Sequence, residues 1–202
     1  MSRPRWLRAT HWLNVAAVLV LMQSGWRIYD AAPFLPFRIP KQLTLGGWLG
    51  GALQWHFAAM WLLAANGIAY LAINLLSGRL FRTFFPVSVR ALVADLLDAV
   101  KLRLAHDHPG YNAVQRFAYL FVMLDLIVIV LSGLVLWKSV QFPLLRELLG
   151  GYEAARRVHF FAMAGLVAFI AIHVTMVALV PRTLLPMIIG SRAPRLGGNV
   201  HA

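Results

Sequence analysis

An all-α integral membrane protein, four transmembrane helices in a bundle with an amphipathic helix along the inner face, is what three features of the chain predict. Its 202 residues are 60% hydrophobic and only 13% charged, about half the charged share of an ordinary soluble domain. Four apolar stretches are long enough to cross a hydrocarbon core, which takes roughly 20 helical residues. The basic residues gather between those stretches and not within them.

The spans fall at about residues 9–29, 48–76, 117–137 and 155–180. The first follows Arg3, Arg5 and Arg8 in the manner of a signal peptide, but Trp26, Arg27 and Tyr29 come after it where an A-x-A cleavage site would stand, so the segment is expected to be retained. Pro33, Pro36, Pro40, Gly46 and Gly47 make the next connection an irregular loop. Between the second and third spans, ALVADLLDAVKLRLA spaces Leu and Val to one face, with Asp95, Asp98, Lys101 and Arg103 on the other. That pattern predicts a helix lying along the inner membrane surface. Residues 1–190 thus form one four-helix membrane domain, with 191–202 as a short cytoplasmic tail, and no internal repeat stands out.

Orientation follows from the loops. With the N-terminus inside, the inner side holds twelve of the 19 Lys and Arg and the outer side seven, which favours both termini in the cytoplasm of a multi-pass protein of the bacterial inner membrane. Trp12, Trp26, Trp48, Trp55 and Trp137 lie near span ends, as an interfacial aromatic belt requires. The net charge of +12 is therefore a matter of topology and lipid headgroups, and no nucleic-acid motif argues otherwise. With no cysteine in the chain, disulfides, thiolate-held iron–sulfur clusters and covalently attached c-type haem are excluded.

Four of the seven histidines are intramembrane: His11, His56, His159 and His173. His159 and His173 are fourteen positions apart on one helix, about 40° short of four turns and roughly 21 Å along the axis. They share a face, one near each membrane surface. Following the chain through the bilayer, His56 falls at the depth of His159 on the outer side and His11 at the depth of His173 on the inner side. A lone intramembrane histidine is as well explained by a hydrogen bond to a neighbouring helix. Two depth-matched pairs are what two b-type haems need, each iron taking an imidazole on either face, with electron transfer as the chemistry. Small residues at Ala16, Gly51, Ala59, Gly67, Gly133, Ala162 and Gly165 would give flat macrocycles room or simply let helices pack closely. His106, His108 and His201 read as solvated.

The chain resembles a known family, carried by RATHWLNVAAVLVLMQSGWRIY, WHFAAMWLLAANGIAYL, GYNAVQRFAYL, LSGLVLW, RRVHFF and IAIHV in that order. It is similar to the dihaem cytochrome b subunits of respiratory nickel–iron hydrogenases and membrane formate dehydrogenases, within the bacterial cytochrome b five-sixty-one class. The resemblance implies the same pairing, His56 with His159 and His11 with His173 as axial ligands of haem iron. It also implies a quinone site beside the inner haem, with Asn112 and Gln115 as hydrogen-bonding groups and Tyr111 near them; Asn112 alone would equally serve as a helix cap. Family members docked to an iron–sulfur subunit often carry a longer charged tail than GSRAPRLGGNVHA. The periplasmic redox partner is accordingly left among a hydrogenase, a formate dehydrogenase, a molybdenum oxidoreductase and a c-type cytochrome.

Other polar residues have expected roles. Asp125, mid-span, is either a proton path to quinone or a protonated acid bonded to a neighbouring helix. Asn14, Asn66 and Asn74 read as interhelical hydrogen-bonding groups. Arg8 at the inner face and Arg156 and Arg157 at the outer face are candidates for haem propionates. The function expected is a dihaem b-type cytochrome relaying electrons between the periplasmic partner and quinone, an electron-transfer subunit and not a stand-alone enzyme. The competing readings are an intramembrane metal-ion transporter or metal site, and a non-redox membrane anchor.

Overall fold

The computed structural model describes residues 4–78, 113–181 and 184–188. The expected surface helix within 91–105, together with Tyr111, Asn112, His106, His108 and His201, lies outside the described residues. Helix α1 spans Arg5–Ala31, α2 Leu49–Leu76, α3 Ala113–Lys138, α4 Pro143–Leu148, α5 Tyr152–Leu179 and α6 Leu185–Ile188. The four long helices sit within a few residues of the four apolar runs. Short α4 has no counterpart in that pattern: six residues are too few for an apolar periodicity to declare itself.

Helices α2 and α5 and the Gln115–Lys138 part of α3 are long and apolar enough to cross a membrane. Helix α1 has the length, 27 residues, but His11, Asn14, Gln23 and Ser24 dilute its apolar run. The burial pattern is that of a protein solvated by lipid: Ile68, Leu124 and Ile172 are 69%, 63% and 66% exposed, whereas Ser24 and Ser132 are fully buried and Asn66 nearly so. Apolar side chains face a medium as apolar as themselves, and polar ones turn inward to find partners.

The chain forms two compact units, Met1–Asn74 with Val177–Ala202, and Leu75–Met176. In the first, α1 and α2 run antiparallel. The Asn66 side-chain amide on α2 donates to the Thr10 carbonyl at 2.8 Å and to Asn14 Oδ1 at 2.7 Å, both on α1, and Trp6 meets Tyr70 with ring centroids 6.3 Å apart. The interhelical reading holds for Asn14 and Asn66; Asn74 Nδ2 donates to Tyr70 O of its own helix at 2.8 Å. Replacing Asn66 by leucine removes two donors from a buried contact. Stability should fall by about 1 kcal/mol, read as an earlier thermal transition of the detergent-solubilised protein.

Helix α1 stops at Ala31 because Pro33 disfavours helical backbone at the residue before it. The loop folds back on the helix end: Tyr29 Oη donates to Phe37 O at 3.0 Å, Ile39 N donates to Asp30 Oδ1 at 2.9 Å, and Leu45 N donates to Gln23 O at 3.0 Å. Gly46 and Gly47, at φ of 106° and 69°, turn the chain into α2. At the other end of this unit α6 is tied to α1, with Arg8 Nη1 donating to Ile188 O at 3.2 Å and Trp12 Nε1 to Met187 O at 3.1 Å.

In the second unit α3 and α5 run antiparallel, joined through α4 and a Gly150–Gly151 turn at φ of 79° and 96°. Gly165 of α5 faces Asp125 and Phe121 of α3, where a Cβ would come within 3.5 Å of Asp125 Oδ1 and 3.7 Å of Phe121 Cζ. The room Gly165 provides is thus taken by Asp125 and Phe121.

Candidate functional site: two serine–histidine cradles

His56 lies on α2 seven positions after Leu49, and His159 on α5 seven positions after Tyr152. The ring nitrogen Nδ1 of His56 is 3.1 Å from Ser24 Oγ on α1, and Nδ1 of His159 is 3.1 Å from Ser132 Oγ on α3. Each serine hydroxyl also points back into its own helix. Ser24 Oγ donates to Val20 O at 2.6 Å and Ser132 Oγ to Val128 O at 2.6 Å.

Those short contacts favour one tautomer of each ring. A hydroxyl has one hydrogen, and in both serines it is spent on the carbonyl one turn back. Towards the imidazole the oxygen can only accept, so Nδ1 is the N–H and Nε2 carries the lone pair. At His159 the assignment is reinforced, since Nδ1 also lies 3.0 Å from the Ile129 carbonyl, which can do nothing but accept. A neutral imidazole with Nδ1–H engaged and a basic Nε2 is the form that ligates a metal.

Next to each serine stands a glycine against the ring edge. A Cβ at Gly25 would sit 3.5 Å from His56 Cε1, and one at Gly133 would sit 3.2 Å from His159 Cε1. Of the small residues offered as room for a macrocycle, Gly133 therefore serves the imidazole itself, Gly51 packs against Gly46 O and Trp48, and Gly67 borders open space. Gly25, Ser24 and Ser132 were not singled out by the sequence pattern.

His11 and His173 lie toward the other ends of their units. On α1, His11 is thirteen positions from Ser24, the partner of His56, or about 20 Å along the axis. His173 is fourteen positions from His159 on the unbroken α5, about 21 Å. His173 stacks on Phe169 with ring centroids 6.0 Å apart and planes 7° apart, and His11 meets Trp12 edge-on at 5.5 Å.

Among the described residues, Arg8 Nε and Asp125 Oδ2 are buried without a hydrogen bond. Arg156 Nε lies 3.6 Å from Glu153, Arg157 is exposed, and Gln115 is exposed on the first turn of α3. Among the described residues there is no group of three or more His, Asp or Glu close enough to hold a bare metal ion.

Membrane helices that carry an imidazole toward each end of each unit, with Nδ1 of His56 and of His159 held against a serine, suit noncovalent haem binding. Residues 2–190 match the family described as prokaryotic cytochrome b561, and the chain belongs to it. It is a multi-pass membrane haem b protein. A protein of Azospira oryzae, provisionally described as protein-methionine-sulfoxide reductase subunit YedZ1, is 72% identical over 188 residues, covering 93% of this chain and 95% of that one. No solved structure matches the chain.

The residues fit haem b. The contacts of His56 and His159 suit the ligating tautomer, and the buried Nε–H of Arg8, without a hydrogen bond, has the charge to suit a propionate carboxylate.

Proposed function

We propose that the chain binds two haems b and relays electrons between the quinone pool and a periplasmic oxidoreductase, with α1 as a fourth span and both termini on the cytoplasmic side. The observation that carries this reading is the spacing of the histidines. Each unit holds its two imidazoles about 20 Å apart along its helices, enough to separate two cofactors across the membrane and too much for one.

His56 and His159 would hold the outer haem, and His11 and His173 the inner. Bound haem b would supply a one-electron Fe(III)/Fe(II) couple. The chain's own residues set where that couple sits and in what environment. Arg8 neutralises a propionate on the inner side and Arg156 and Arg157 do so on the outer. Asn112 and Gln115 hydrogen-bond the quinone oxygens at the inner face, with Tyr111 beside them.

The sulfoxide reductase named for the Azospira relative supports one such oxidoreductase partner, and with it a direction. Reducing a sulfoxide to a thioether and water consumes two electrons and two protons; oxidising a quinol to a quinone releases two of each. The partner is then the catalytic subunit of a protein-methionine-sulfoxide reductase, and electrons flow outward from quinol.

Haem-to-protein ratio by pyridine haemochrome, with a reduced-minus-oxidised spectrum, tests the cofactor claim: two b haems per chain are expected, and one or none would overturn it. For the quinone site, Asn112→Ala and Gln115→Ala should slow quinol-driven haem reduction about tenfold at unchanged haem content. Unchanged rates and inhibitor sensitivity in both would defeat that assignment.

A further inference from the structure

The two serine–histidine cradles are copies of each other. Ser24 stands seven positions before the end of α1 and Ser132 six before the end of α3, and each is followed by glycine. Each hairpin then re-enters its second helix through a Leu-Gly-Gly-aromatic turn, Leu45–Trp48 in one and Leu149–Tyr152 in the other, with both glycines at positive φ. Seven residues into that helix comes the histidine, and it begins the same pattern: HFAAM at 56–60, HFFAM at 159–163. The distances repeat as well, with hydroxyl to carbonyl at 2.6 Å and hydroxyl to Nδ1 at 3.1 Å in both.

We propose that Ser24 and Ser132 are positioning residues for haem ligation, a matched pair in which each serine fixes the tautomer and ring orientation of its own histidine, His56 or His159. This rests on the dihaem reading above. The chemistry follows from the bond directions. Each serine accepts from Nδ1–H, which pushes electron density onto Nε2 and makes it a stronger donor. A stronger donor favours ferric over ferrous iron, so each serine holds down the potential of the haem its histidine ligates. Because the serine proton is committed to the helix carbonyl, the imidazole cannot reverse its tautomer without breaking that bond.

The tests are redox titration and the low-spin ferric electron paramagnetic resonance signal of purified Ser24→Ala, Ser132→Ala and the double variant, with Ser→Thr at each site as the form that keeps the hydroxyl. Removing one acceptor should weaken the preference for ferric iron up to about tenfold, an upward shift of at most roughly 59 mV for a one-electron couple. One of two titration waves should move, the same one in both single variants and further in the double, while threonine restores it. Gly133→Ala, whose Cβ must displace the ring from 3.2 Å, should alter the resonance signal more than Gly25→Ala at 3.5 Å.

Each failure points to a different claim. A wild type without two b haems overturns the dihaem reading. Two haems with neither wave moved by either alanine overturns the positioning role alone. Different waves moved by the two serines would show that His56 and His159 do not share an iron. Haem loss in the alanine variants with no rescue by threonine would make the serines packing residues; should none of these assemble, equal signals from Gly133→Ala and Gly25→Ala overturn the cradle.

Discussion

Alanine in place of His56 or His159 is expected to remove one haem and leave the other, so that the haemochrome ratio falls from two per chain to one, with the same wave lost from the redox titration in both variants. His11→Ala and His173→Ala should each remove the remaining one. The expectation follows from the separation of the sites: histidines about 20 Å apart on a hairpin share neither a ligand nor a first neighbour, and sites that far apart behave additively. The outer site should fail completely. Without one of the two histidines the other imidazole would still have its serine and its glycine, but a haem held by two histidines would lose half its ligation. A His56→Ala, His11→Ala pair should therefore lose all haem, whereas His56→Ala, His159→Ala should keep one. If any single substitution removed both haems from a protein that stayed folded, the two sites would not be independent and the depth-sorted pairing would be wrong.

Much of this was legible in the sequence because its signals are coarse. An apolar run of twenty-odd residues has few options other than a membrane helix, and intramembrane histidines are costly enough to call for a reason. The extents of the four long helices follow from the first fact to within a few residues, and the second marks His11, His56, His159 and His173 as residues that need a reason. The cradles were hidden for the opposite reason. A buried serine in an apolar run is usually read as one more small packing residue, and what gives Ser24 and Ser132 their meaning is a partner on another helix 32 and 27 positions away. The repeat was masked by single-residue offsets: eleven positions from Leu45 to His56, ten from Leu149 to His159. Aligned on the histidines and not on the spans, HF-x-AM and the Gly-Gly turn would have shown it. At Gly165 the sequence left macrocycle room and helix packing open, since a glycine's neighbour cannot be read from the glycine; here it is a carboxylate.

The second large effect concerns the turn that delivers His56. Gly46→Ala is expected to lose the outer haem and destabilise the first unit, whereas Gly47→Ala one residue on should cost about 1 kcal/mol and keep both haems. Both residues have positive φ, so the left-handed penalty alone does not separate them. The surroundings do. Gly47, at φ 69°, lies in the left-handed helical region that an L-residue can enter at modest cost, and nothing stands within 4 Å of where its Cβ would be. Gly46, at φ 106°, lies outside that region, and its Cβ would run into the Ala52 backbone on the first turn of α2. Backbone cannot rotate aside as a side chain can, so the helix start itself must move. Ala52 N also donates to Trp48 O at 2.9 Å and Leu45 N to Gln23 O at 3.0 Å, so displacing the turn disturbs both the opening of α2 and its tie to α1. His56 is only one turn further along the same face from Ala52, and its Nδ1 contact to Ser24 tolerates a few tenths of an ångström before it ceases to be a hydrogen bond. Haem content and thermal midpoint measured side by side decide the matter: equal behaviour of the two alanine variants would mean that the turn does not set the register of His56.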